Sequence, residues 1–235
     1  RLSVDRWRHG LAPETRTAAD AAPTALILET AHGPRITAAN DAGLAAGARA
    51  GMLLADARAL CPQLVAVPGD PAGDLAALEK LALWAQRWGP WSALDPPDGV
   101  LVDVTGVAHL FGGEERLLAD VVHACAARGL TARAALAPTA GAAWALAHYG
   151  PPGAILNPPL DGEDMLRLLG DLPVAALRLD EDVLTVLRRL GIKRLGELAG
   201  VTGAEEEDPA REAAARDALR RRFRNHRAPS ANPLL

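Results

Sequence analysis

The sequence predicts an α+β fold followed by an all-helical segment, and three observations predict it. Between residues 64 and 157, strand-like and helix-like stretches alternate with Gly- and Pro-rich breaks between them. That alternation is the pattern of helices laid on one face of a mixed sheet, in the split βαβ manner. From Pro159 onward the character changes and the chain reads as helical throughout. The apolar share of 49% comes mostly from Ala, Leu and Val, with aromatics at only 3%, which suits helices packed on a sheet. A chain of 235 residues is long enough to bury a core in one large or two modest domains.

In order along the chain, residues 1–22 are polar and broken by proline, with Arg6-Trp7-Arg8-His9 the notable cluster. Thr24–Thr30 has strand composition, His32-Gly33-Pro34 is a turn, and Arg35–Ala38 returns, so the three read as a hairpin. Asn40-Asp41 caps a short Ala-rich helix that stops at Gly47, and Leu53–Leu60 is a second short helix ended by Cys61-Pro62. Leu64–Val67 is a strand candidate. Pro71–Trp88 is the first long helix, with Leu75, Leu78, Ala82 and Ala85 on one stripe and Leu81, Trp84 and Trp88 beside it. A turn, Asp95–Gly99, feeds the β-rich run Val100–Val104. Glu114–Arg128 is a second long helix stopped by Gly129. Thr131–Ala137 is a strand candidate and Pro138–Tyr149 a helix of small residues. Two short helices, Glu181–Leu190 and Arg194–Ala199, are joined by Gly191-Ile192-Lys193. Apolar–glycine–apolar spacing between short helices is the shape of a helix-hairpin-helix unit, whose backbone N–H groups can hold a DNA phosphate. A plain helical hairpin fits the same spacing.

Charge and cysteine usage narrow the function classes. A net charge of −4 argues against nucleic-acid binding through bulk charge. The charge is uneven, however. Glu205–Asp208 is acidic, and Arg211, Arg216, Arg220, Arg221, Arg222, Arg224 and Arg227 follow it. That basic run suits a solvated helix face or a phosphate-contacting one. Lysine occurs only at Lys80 and Lys193. Cys61 and Cys125 are solitary in apolar helical contexts, which fits small buried hydrophobes and a reducing, cytoplasmic setting. No apolar run approaches the ~18 residues that span a membrane. The sequence opens at Arg1 without Met and reads as a piece of a longer chain.

The candidate chemistry centres on Trp88–Gly113. Asp98 and Asp103 flank a strand expected to be buried, and a buried carboxylate must be paired, hydrogen-bonded or metal-bound. Two readings are open. In one, Asp98 caps a turn and Asp103 takes a backbone hydrogen bond at a strand end. In the other, this is a metal-binding strand. His109 and His123 have no Cys or carboxylate at ligand spacing and read as packed or surface histidines. Gly112-Gly113-Glu114 reads as a helix start, because no Lys-Ser/Thr follows to make a nucleotide loop.

Four segments together carry a resemblance: residues 42–70 (with GARAGM and ADARALCP), 88–113 (with DPPDGVLVDVTG), 131–154 and 172–198. The chain resembles the Y-family (UmuC/DinB-type) translesion DNA polymerases, and within them the divergent ImuB-type branch. The resemblance implies a fingers-like region at 1–70 whose first palm strand lies upstream, and a palm-like domain at 71–158. It further implies a helical thumb with a degenerate helix-hairpin-helix at 159–227, and a tail at 228–235.

Family members join nucleotides with two metal ions held by converging carboxylates. Asp98 falls on the family's Asp, but Gly99 stands where its neighbouring Glu belongs. Asp5 reads as a surface residue. Asp41 and Leu44 replace the Tyr and Arg that contact the triphosphate, and an anionic Asp41 reverses the electrostatics needed there. Ala140 and Trp144 replace two palm lysines. Leu177–Asp180 replaces a Gly-x-Gly turn whose positive-φ positions suit glycine.

The resemblance therefore implies a catalytically inactive adaptor for damage-induced (SOS) translesion synthesis and mutagenesis, in the bacterial cytoplasm at the nucleoid. Asp98 would be its one remnant catalytic and metal residue, and it would hold no cofactor. Arg188, Arg189, Lys193, Arg194, Arg220 and Arg221 would contact primer-template DNA. The implied partners are an error-prone replicative-type polymerase, a RecA-like accessory protein, and the sliding clamp through a region outside this chain. Two rival readings stand beside it: an active error-prone polymerase using Mg²⁺, and a protein-interaction module with no DNA role.

Overall fold

The computed structural model describes residues 1–156 and 168–198. The α+β class predicted from sequence is the class observed. Contacts divide the described residues into two compact units, Arg1–Val102 with Ala124–Ala132, and Asp103–His123 with the described residues from Arg133 onward.

The first unit opens with two helices where the sequence pattern offered only polar, proline-broken chain: α1 (Leu2–Gly10) and α2 (Pro13–Ala21). Helix α1 turns Leu2, Val4 and Asp5 inward. Asp5, expected at the surface, is instead buried. Its carboxylate accepts the Thr131 backbone N–H at 2.7 Å and the Thr131 hydroxyl at 3.3 Å, which satisfies a group that burial alone would penalise. Strands β1 (Thr24–Leu28) and β2 (Arg35–Ala39) form the expected antiparallel hairpin, with a register shift between Leu26 and Ile27. Strand β3 (Val65–Pro68) runs parallel to β1 on its other side, so the sheet order is β2-β1-β3. The third strand thus completes a mixed sheet with the hairpin instead of opening the palm-like run.

Helices α3 (Asp41–Ala45) and α4 (Leu54–Leu60) supply the other side of that sheet's core, where Ala25, Ile36, Ala39, Ala57, Cys61 and Leu64 are buried. Asn40 fastens this layer. Its Oδ1 accepts from Thr24 N at 2.9 Å and from Gly43 N at 2.8 Å, while Nδ2 donates to Ala22 O at 2.8 Å. It therefore caps α3 and pins the start of β1 together.

Helix α5 (Pro71–Ala85) begins with Asp70, whose side chain accepts from Gly73 N, and with Pro71 in its first turn. Leu78, Ala82 and Ala85 are buried as the stripe predicts, but Leu75 is exposed. Strand β4 (Trp91–Asp95), not anticipated from sequence, pairs with β5 (Gly99–Asp103) across a turn whose Pro96–Pro97 peptide is cis. Ser92 Oγ donates to Ala82 O at 2.7 Å and ties β4 to α5. β5 is half-buried and not the fully buried strand expected, because its sheet has two strands among the described residues.

Helix α6 (Glu114–Ala126) starts with Glu114 and Glu115 in its first turn, where carboxylates suit the dipole. In the second unit, helix α7 (Ala140–Tyr149) is capped by Thr139. The Thr131–Ala137 strand candidate is irregular chain, with one isolated bridge from Leu136 to Ile155. Its alternating small residues lack a neighbouring edge to pair along. A 3₁₀ turn (Val174–Leu177) and helix α8 (Glu181–Arg189) follow. The unit's core joins Ala142, Ala145 and Leu146 of α7 to Leu156, Leu169, Leu172, Leu177 and Leu195.

Candidate functional site

The turn between β4 and β5 carries Asp98 and Gly99, the two positions singled out in the sequence. Asp95 ends β4 buried, and Gly99 starts β5 directly against it. A Cβ on Gly99 would lie 2.8 Å from the Asp95 carbonyl oxygen and 3.0 Å from its Oδ2. A side chain at position 99 would therefore crowd the Asp95 backbone, so glycine here answers a packing demand. Asp98 is exposed in the turn. The Arg1 guanidinium grips Asp41 with both terminal nitrogens, Nη2 at 3.0 Å from Oδ2 and Nη1 on Oδ1. The hydrogen bond from Arg1 holds the Asp41 carboxyl below its ordinary range and raises the guanidinium in turn.

Asp41 is thus held by a cation far from it in sequence, the Arg1 guanidinium. Sequence reasoning missed Arg1, and no motif marks it. Leu44 is half-buried and packs against the core beneath the β2-β1-β3 sheet. Asp103 is the strand-end residue of the first reading. Its Oδ1 accepts Thr105 N at 2.9 Å, and the Thr105 hydroxyl and amide together hold its carboxyl low.

The metal pair that the fold family uses does not fit these residues. The Arg1 guanidinium engages Asp41, a Cβ at position 99 would crowd the Asp95 carbonyl oxygen, and Asp103 is committed to Thr105. Among the described residues no three His, Cys, Asp or Glu side chains gather as a metal ion would require. His109 and His123 are both exposed.

In the second unit, Ala140 opens α7 and Trp144 lies one turn further on, half-buried against the core. Trp144 stacks on His148 with ring centroids 4.0 Å apart and meets Tyr149 edge-on at 6.0 Å. The Arg178 guanidinium carbon lies 4.6 Å from the Trp144 ring centroid. Arg178 is the one non-glycine residue with positive φ among those described, at 55°. The Leu177–Asp180 turn therefore holds a left-handed position without a glycine, and the residue that occupies it reaches across to Trp144.

The predicted DNA-contacting cations of the hairpin fall into two groups. Arg188 Nη1 donates to Glu181 Oε1 at 2.5 Å and Arg194 Nη1 to Asp171 Oδ1 at 2.9 Å, so both are partnered within the hairpin. The Arg189 and Lys193 side chains have no partner among the described residues and are exposed. Gly191 takes φ 82° in the connecting turn. The Lys193 and Arg194 backbone N–H groups, which the motif would offer to a phosphate, both donate to Glu197 Oε2, at 2.6 and 3.0 Å. Those two bonds hold the Glu197 carboxyl low. Arg220 and Arg221 lie outside the described residues.

A profile of the impB/mucB/samB (IMS) family matches residues 20–148, more than half of the chain. The chain belongs to the impB/mucB/samB family. It is 48% identical over 155 residues to Protein ImuB of Caulobacter vibrioides, in both strain NA1000 / CB15N and strain ATCC 19089 / CIP 103742 / CB 15. That match covers 66% of this chain and 33% of each relative, so the chain spans about a third of their length. Among solved structures it resembles DinB from Sulfolobus solfataricus, with TM-score 0.64 and 17% identity over 94% of this chain and 64% of that one. It also resembles Dbh DNA polymerase in an insertion ternary complex, with TM-score 0.68 and 15% identity over the same shares. The likeness to both is one of fold.

Membership of the impB/mucB/samB family gives the β4–β5 turn its significance, because the family match includes it. Among the described residues no helix is long and apolar enough to cross a membrane.

Proposed function

We propose that this chain is the polymerase-like part of a catalytically inactive Y-family adaptor for damage-induced translesion synthesis and mutagenesis. It binds primer-template DNA and brings a partner polymerase to it. The observation that supports the reading is Gly99 beside Asp98: a Cβ there would lie 2.8 Å from the Asp95 carbonyl oxygen, so a second carboxylate would enter the turn only with a shift of its backbone. Nucleotidyl transfer needs several carboxylates on one metal pair, and one exposed Asp is a poor substitute. Supporting this are the 48% identity to Protein ImuB and the fold shared with Dbh DNA polymerase. In this reading an error-prone replicative-type polymerase supplies the chemistry, a RecA-like protein joins the assembly, and the clamp binds elsewhere in the longer protein. The assembly works in the bacterial cytoplasm at the nucleoid, under SOS induction.

The deciding experiment is primer extension by the full-length protein with Mg²⁺ and deoxynucleotides. No extension is expected from the wild type. Extension that disappears in Asp98→Ala would establish the active-polymerase reading instead. DNA binding is tested with Arg188→Glu combined with Arg221→Glu, which should weaken primer-template affinity and reduce the salt slope by about one unit for each phosphate no longer neutralised. Unchanged affinity and slope would favour a protein-interaction module without a DNA role.

A further inference from the structure

Arg1, Arg6, Arg8, Arg188 and Arg194 each grip an Asp or Glu. Arg87 and Arg128 are exposed and rest on indoles instead. The Arg128 guanidinium carbon lies 4.0 Å from the Trp84 ring centroid. That of Arg87 lies 5.7 Å from Trp84 and 5.5 Å from Trp88, and the two indoles meet edge-on at 4.7 Å. Two cations are thus held on two rings, between the end of α5 and the turn after α6. Neither guanidinium has a hydrogen bond or ion pair among the described residues, so the N–H donors of both are unspent.

Nearby carboxylates do not neutralise them. No Asp or Glu occurs from Lys80 to Leu94 or from Val121 to Thr131, in a chain whose net charge is −4. Glu79 precedes Arg87 by about two turns and points roughly 80° aside around the helix. Asp70 and Asp74, at the other end of α5, are held by Arg6. Helix α1 packs against α5 and brings one carboxylate, Asp5, which is buried on Thr131. Apolar surface is exposed beside the cations, with Leu83 at 68% and Trp91 at 60%. Ser92 Oγ donates to Ala82 O at 2.7 Å, and Trp91 and Leu83 are the chain neighbours of that pair, so strand and helix present them from adjoining positions.

From this geometry we infer that Arg87 and Arg128 on Trp84, with Leu83 and Trp91 beside them, form a docking surface for an acidic segment of a partner protein. The segment sets carboxylates on the two guanidinium groups and an apolar side chain on Leu83 and Trp91. This goes beyond the adaptor reading and does not rest on DNA binding. Charge complementarity selects the occupant. A guanidinium resting on a ring still offers its planar fork of N–H donors, which matches a carboxylate with two parallel bonds. The indoles hold both cations in place beforehand, which lowers the ordering cost of binding. Arg and Trp at the centre of a patch are what protein interfaces enrich. A nucleic-acid strand would need a ring open to a base, and Trp84 is half-buried with Arg128 over it and Trp88 against it.

The test uses the full-length protein and fluorescence anisotropy with three labelled probes: a peptide of four Glu-Glu-Leu repeats, its Gln-Gln-Leu counterpart, and dT20. Wild-type protein should bind the acidic peptide saturably and the neutral one far more weakly. Arg87→Gln with Arg128→Gln should weaken the acidic peptide about fivefold to thirtyfold, the worth of two exposed charge pairs. Leu83→Gln should weaken it about threefold to tenfold by removing apolar contact. Arg49→Gln with Arg58→Gln removes the same charge from the α3–α4 region and should change affinity less than about twofold. Affinity for dT20 should stay within about twofold in every variant. All the substituted side chains are exposed, and unchanged thermal midpoints confirm that each variant is folded. An equal loss in the Arg49 and Arg58 variant would reduce the effect to net charge and overturn the site. A parallel loss on dT20 would assign the surface to nucleic acid, and wild-type protein that binds neither peptide, or both equally, would also overturn it. None of these outcomes bears on primer extension, so the adaptor reading and this surface fail separately.

Discussion

Replacing Arg178 separates two opposing effects at a single residue. Arg178 sits at φ 55° and ψ 39°, in the left-handed region, which costs an L residue with a Cβ about 1–2 kcal/mol relative to glycine. Its guanidinium carbon lies 4.6 Å from the Trp144 centroid, a cation–π interaction worth about 0.5–1 kcal/mol at an exposed site. Arg178→Ala keeps the backbone cost and removes the cation, so it should destabilise by about 0.5–1 kcal/mol. Arg178→Gly removes the cation and the backbone cost together, so it should be near neutral and about 1 kcal/mol more stable than the alanine variant. Urea unfolding followed by tryptophan fluorescence measures both, and a cycle with Trp144→Leu isolates the pair. The coupling should be about 0.5–1 kcal/mol. An alanine variant as stable as the glycine variant, or zero coupling to Trp144, would refute the account of this turn.

Other outcomes follow from the same geometry. Gly99→Glu should not create Mg²⁺-dependent primer extension, and should lower the thermal midpoint, because its Cβ would meet the Asp95 carbonyl at 2.8 Å; extension by this variant would show that the turn can hold the missing carboxylate. Asp5→Ala removes the buried carboxylate that accepts the Thr131 N–H and hydroxyl and should cost about 1–3 kcal/mol in denaturant unfolding, where a surface Asp would cost under about 0.5 kcal/mol. The carboxyls of Asp41, Asp103 and Glu197 all sit below their ordinary values, the first through Arg1, the second through Thr105 and the third through two backbone amides. A depressed folded-state pKa contributes stability that is complete above the unfolded value, about 4, and is lost as pH falls through the lower folded value. Thermal midpoints should therefore decline below about pH 4, and Glu197→Gln should flatten that decline; an unchanged acid profile in the variant would remove Glu197 from the account.

Local chemistry made much of the fold legible. The Asn40 cap, the His32-Gly33-Pro34 turn, the α5 stripe and the Gly191 turn each follow from a residue's own conformational preference or from helical periodicity, and each appears where the pattern placed it. Family motifs located the Asp98–Gly99 turn for the same reason: a tight turn depends on residues adjacent in sequence. What local patterns missed depended on residues distant along the chain. Strand β4 was invisible because Trp91–Asp95 has no clean alternation, and it forms because β5 and the Ser92–Ala82 bond hold it. Asp5 looked like a surface carboxylate until Thr131, far along the chain, supplied the amide that makes burying it tolerable. The Thr131–Ala137 run had strand composition but no edge to pair with.

The sequence by itself determined which side chains stand at positions 41, 44, 98, 99, 140 and 144, because each is a matter of residue identity. Only the tertiary structure decided what those side chains touch. Arg1 on Asp41, and Arg178 over Trp144, are long-range pairings that no local pattern encodes, since each joins residues that share no turn, helix or strand.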